Sequence, residues 1–153
     1  MNREELEKCL THWCRKLRVT PTWNVRLQLM DDPNYRKTGD IKIDCDNHNA
    51  IVMLNMSGAN CGNLEEVLVH ELFHLKLYPM DQVTESLIRA CFPEESSAKN
   101  FAYEQFFHAL EQTAEELTKC FLLEYGDNKE LTFGRCEKQK SFIELYDGLR
   151  NLK

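Results

Sequence analysis

Apolar residues recur at three- and four-residue steps over residues 4–17, where Leu6, Leu10, Trp13, Cys14 and Leu17 form one stripe of a surface helix. Thr20-Pro21-Thr22 breaks that period. Residues 23–29 then alternate apolar and polar positions, as a half-buried strand does. A turn signal at Asp31-Asp32-Pro33-Asn34 and a polar loop lead to a second alternating run, 39–45. A turn at 46–49 leads to a third and more apolar run, 50–56, predicted to be a buried strand. A glycine-containing connector, 57–62, precedes Leu64, Val67, Leu68, Leu72 and Leu75, which return to helical spacing. Asn63 is a predicted N-cap with Glu66 as its capping-box partner, and Pro79 is expected to stop the helix. The pattern further predicts a short helix over 80–91 and a long one from the serines at 96 and 97 to about Tyr125, closed by Gly126. Phe142, Leu145, Tyr146 and Leu149 suggest a final helix. The expected class is α+β: a small sheet of at least three strands packed on helices.

At 153 residues the chain can bury a core as one domain, with its body at about 5–126 and 127–153 as a C-terminal extension. Seven cysteines, odd in number, widely spaced and without a Cys-x-x-Cys pair or a secretory segment ahead of them, read as reduced thiols and point to a cytoplasmic setting. A net charge of -6 with both signs mixed along the chain argues against a nucleic-acid partner. No apolar run approaches membrane-spanning length. Nothing in the pattern specifies an oligomeric state.

Chemistry concentrates in the helix that follows Asn63. Its centre reads Val67-Leu68-Val69-His70-Glu71-Leu72-Phe73-His74-Leu75, a His-Glu-x-x-His pattern. A four-residue helical step returns to nearly the same face, so His70 and His74 can reach one metal ion. Glu71 lies further round the same arc, where a general base stands beside a water activated by zinc. On the long later helix Glu104, His108, Glu111 and Glu115 follow at steps of four, three and four, and any of them could supply a third ligand. A glutamate ligand would cast Glu111 as the third ligand and Glu115 as the group orienting a histidine; His108 is the rival ligand. His48, in the turn between two strands, reads as a solvated loop residue.

The histidine helix, taken with Glu111-Gln112-Thr113-Ala114-Glu115-Glu116-Leu117, resembles the ImmA/IrrE-type and minigluzincin metallopeptidases, small gluzincins of zincin-like fold. The resemblance spans roughly residues 5–125 and includes the order of parts. It implies one zinc per chain, held by His70, His74 and Glu111, with Glu71 as general base for peptide hydrolysis by a zinc-activated water and Glu115 behind a ligand. Two positions depart from the pattern: Lys76 stands where an apolar residue is usual, and position 115 is a glutamate rather than an amide or aspartate. His108, Tyr103 and Tyr78 are candidates to donate to the oxyanion. The resemblance further implies a peptide or protein substrate extended along a sheet edge, either 50–56 or 39–45. It also implies a C-terminal segment able to cover the cleft, with Cys136 a possible thiolate ligand. A zinc-binding regulatory protein of the ImmA/IrrE type, cleaving one partner or none, is the alternative, and a hydrolase of non-peptide amides would share the same ligands.

Overall fold

The first helix, α1 (Arg3–Lys16), starts where Asn2 accepts from the Glu5 backbone N–H while the Glu5 carboxylate accepts from the Asn2 backbone N–H, a reciprocal capping box. Leu6, Leu10, Trp13 and Cys14 form its buried stripe, as their spacing predicts. This computed structural model describes residues 1–34, 37–57 and 63–133. The connector at 58–62, the final helix expected at 142–149 and Cys136 lie outside the described residues.

Three strands follow: β1 (Asn24–Met30), β2 (Gly39–Asp44) and β3 (Asn49–Asn55). Their order is β1-β3-β2, with β1 parallel to β3 and β2 antiparallel to it. The apolar run of β3 has its physical reason here, because β3 is the central strand and Ala50, Val52 and Leu54 are fully buried. The expectation that 50–56 could be a free edge is therefore overturned: both sides of β3 are paired, and β2 is the edge lying against the second helix. His48 occupies the β2–β3 turn with φ of 50°, its Nδ1 3.2 Å from the Thr22 carbonyl, as a loop residue should.

The second helix, α2 (Leu64–Cys91), differs from expectation in two ways. Asn63 caps it through the backbone N–H groups of Glu65 and Glu66, but the Glu66 carboxylate does not turn back to close a capping box. It accepts instead from the Thr132 backbone N–H at 3.0 Å. Nor does Pro79 stop the helix, which runs through it for another twelve residues as one element with the predicted 80–91 helix. Proline inside a helix forfeits one backbone hydrogen bond and costs about 3 kcal/mol. The distal half offsets this by burying Ile88 and by placing Arg89 within reach of Tyr103. Tyr103 belongs to α3 (Ser97–Tyr125), capped by Ser96 and closed at Gly126, which packs along α2. Among the described residues, three helices and a three-stranded mixed sheet make the chain α+β, and none of these helices is long and apolar enough to cross a membrane.

A single core joins the elements: Trp13 and Leu6 from α1, Val52 and Leu54 from β3, Leu68 and Leu72 from α2, Leu122 from α3. After α3 the chain returns as a strap over the start of α2. The buried Glu65 accepts from the Asn128 backbone at 3.0 Å and from Trp13 Nε1 at 2.8 Å, while Asn63 Nδ2 donates to the carbonyls of Asn128 and Glu130. The first turn of α2 is thus tied to both ends of the described chain. Pro79→Ala should stabilise the protein by about 1–2 kcal/mol, the helix-interior penalty less the added freedom of the unfolded chain. The midpoint of urea unfolding measures this, and a lowered midpoint would mean that the chain turns at 79 rather than continuing through it.

Candidate metal centre

The centre of α2 is buried on nearly every side: Val67, Leu68, Val69, Leu72 and Phe73 pack into the core, which leaves His70, Glu71 and His74 as polar groups facing α3 and the edge of the sheet. Such groups must find partners away from water. His70 Nε2 lies 3.3 Å from Glu111 Oε2, His74 Nε2 lies 3.1 Å from Glu111 Oε1, and the two Nε2 atoms are 3.1 Å apart. Among the described residues, His70, His74 and Glu111 are the group whose donor atoms converge closely enough to hold one metal ion. Donors about 2.0–2.1 Å from a tetrahedral zinc stand about 3.3–3.4 Å from one another, so the observed separations and the two-imidazole, one-carboxylate set both fit that ion.

Behind the group, His70 Nδ1 lies 3.3 Å from Glu115 Oε2, and Lys119 Nζ lies 3.0 Å from Glu115 Oε1. A carboxylate on Nδ1 fixes the ring so that Nε2 faces the other donors. Along α3 the acidic row passes from solvent to interior: Glu104 and His108 are exposed, Glu111 is half-buried and Glu115 is buried. Between the two rivals for third ligand, Glu111 therefore joins the histidines and His108 does not. Tyr103 is buried eight positions before Glu111, about 12 Å along the helix axis, and its hydroxyl accepts from Arg89 Nε at 3.4 Å. Tyr78, one turn beyond His74, is half-buried against the core. Burial and the neighbouring Cys45, Asp81 and Glu85 push its phenol up to about 12, so it remains a neutral hydrogen-bond donor at physiological pH. Lys76 is exposed, which accounts for a charge where an apolar residue is usual.

Glu71 is 7% exposed and sits against the first residue of β2. A Cβ on Gly39 would stand 2.5 Å from Val67 Cγ1 and 2.6 Å from Glu71 Oε1, so the strand can approach this carboxylate only as glycine. Periodicity gave no sign of this role, since Gly39 opens a strand and looks like a loop residue. Burial raises the Glu71 carboxyl above its ordinary value, and the pull of His74 and His70 does not cancel it; Asp40 and Glu111 push the same way as burial. Glu111 moves in the other direction. Burial opposes its charge, but His74 and the hydrogen bonds from both histidines prevail and hold it well below the usual carboxylate range.

Burial by itself would lower the His70 pKa, yet the carboxylates of Glu111 and Glu115 raise it from 6.5 to about 9. In metal-depleted protein this interaction contributes stability that is fully present below pH 6.5 and lost as the pH rises through about 9. The unfolding free energy of chelator-treated protein, read from urea titrations, should accordingly fall between those limits, by at most about 3 kcal/mol. An unfolding free energy that is flat there would remove the charge assignment. Glu111→Ala should abolish stoichiometric zinc uptake measured by metal analysis, while His108→Ala should retain it; the reverse pattern would transfer the ligand to His108. The chain matches no protein-family model, no curated protein and no solved structure.

Proposed function

We infer that the chain is a zinc-dependent metallopeptidase of zincin-like, gluzincin type, related in its site to the ImmA/IrrE and minigluzincin enzymes. The observation that carries this reading is the convergence of His70, His74 and Glu111 at mutual distances of 3.1–3.3 Å, with Glu71 buried one residue along the same helix. Beyond the ion pairs that each histidine makes with Glu111, the two Nε2 atoms also face one another at 3.1 Å, the arrangement that a shared ion would occupy. Zinc held there would lower the pKa of a water to about 7 and polarise a carbonyl oxygen. Glu71, its proton affinity raised by burial, would take the proton of the attacking water and pass it to the leaving amine. Glu115 keeps His70 oriented while that proton moves. Tyr78, neutral and one turn from His74, is the better placed of the two tyrosines to donate to the developing oxyanion.

The substrate in this reading is a peptide or protein segment in extended form. β2 is the edge strand that meets α2 at Glu71, so strand addition to β2 would carry a scissile carbonyl past the general base. A cytoplasmic setting accords with the five free cysteines among the described residues. Zinc content and cleavage of a broad peptide library, measured together on wild type and Glu71→Gln, test the proposal. Wild type should cleave, and Glu71→Gln should keep its zinc and lose at least about a hundredfold in rate. Equal behaviour of the two against the library and against candidate repressors would replace the peptidase by the zinc-binding regulatory alternative.

A further inference from the structure

The strap after α3 does more than close the core, because its last described residue reaches the charge network behind the metal site. Phe133 is 77% exposed, yet its ring holds Lys119 Nζ 4.7 Å from the centroid. The same ammonium lies 3.0 Å from Glu115 Oε1, and the other oxygen of that carboxylate lies 3.3 Å from His70 Nδ1. The two oxygens of Glu115 thus divide between a histidine of the metal group and Lys119.

An exposed ion pair four residues apart on a helix ordinarily contributes little. Here the side chain of Glu115 is 7% exposed and that of Lys119 21%, so the ammonium compensates a charge that water does not reach. The ring face of Phe133 restricts where that ammonium can go, since a cation within about 6 Å of an aromatic centroid is attracted to it. Upstream, the strap is anchored to the first turn of α2 by Asn63, Glu65 and Glu66, four to seven residues before His70. The ring is consequently carried by the element that fixes the start of the metal helix.

We propose that Lys119 is a positioning residue of the metal centre: clamped between Glu115 and the ring of Phe133, it holds the carboxylate that orients His70, and through it the strap tunes the affinity of the site for zinc. The inference rests on the metal-centre reading above and extends it to residues that touch neither ion nor substrate. Lys119 stands four residues after Glu115, the favoured order for a helical ion pair, so the signal was present in the sequence without anything to separate it from a surface pair.

Zinc affinity of the full chain, measured by competition with a chromophoric chelator, tests this without reference to any substrate. Lys119→Met should weaken zinc binding by about 10-fold, the lower end of the range for losing the outer partner of a ligand, because Lys119 acts on that partner, Glu115, and not on the ligand itself. Lys119→Arg should restore affinity to near wild type. Phe133→Leu, at an exposed position where folding is not at risk, should weaken it several-fold. Unchanged affinity in either Lys119→Met or Phe133→Leu overturns the clamp, as does a Lys119→Arg variant as weak as Lys119→Met. Wild type that takes up no zinc overturns the metal centre itself, an outcome distinct from wild type that binds while these variants bind equally well.

Discussion

Two histidines and three carboxylates cannot occupy one dry space between two helices and a strand unless their charges balance, and that constraint organises the molecule. His70, Glu71, His74, Glu111 and Glu115 meet where α2, α3 and the start of β2 converge. Removing any partner would leave a buried charge exposed to a low dielectric without its counter-charge. The surrounding apolar residues serve this arrangement as much as they serve stability: Val67, Leu68, Leu72 and Phe73 hold α2 rigid at the turn that presents the histidines. Opposite shifts follow from the same packing, with Glu111 held ionised by the imidazoles and Glu71 pushed toward its neutral form. Two carboxylates of one cluster, Glu71 on α2 and Glu111 on α3, thereby acquire different chemistry.

Most of the architecture could be read from periodicity, because the elements that matter have one face in the core. Leu6, Leu10, Trp13 and Cys14 gave α1, alternation gave β1 and β2, and the nearly continuous apolar run at 50–56 gave a buried strand, observed as Asn49–Asn55. Local signals failed where tertiary contacts outweighed them. Pro79 carries a penalty that packing of α2 along α3 offsets, and Glu66 abandons a capping box for the backbone of Thr132, 66 residues away. No local pattern encodes a partner at that separation.

The site was legible in its residue types and less so in its support. His70, Glu71 and His74 announce themselves by spacing, and the row from Glu104 to Glu115 narrows the third donor to a few positions; burial along α3 then favours Glu111 over His108. Gly39 and Lys119 were invisible for different reasons. A glycine at the head of a strand says nothing about which carboxylate will lie against it, and a lysine one turn after a glutamate looks the same whether the pair faces water or the interior. Both roles belong to the packing of elements distant in sequence.

The strand order β1-β3-β2 also divides the sheet into one local and one distant pairing. β2 and β3 are joined by a short turn and pair antiparallel, so their contacts close early and locally, whereas β1 must find β3 from a separation of 25 residues and in parallel register, Asn24 opposite Asn49. Until that slower pairing is made, one side of β3 stands as an open apolar template. In a chain with β1 undocked, the unpaired side of β3 is the one away from β2, and strand-to-strand association between such chains would begin there.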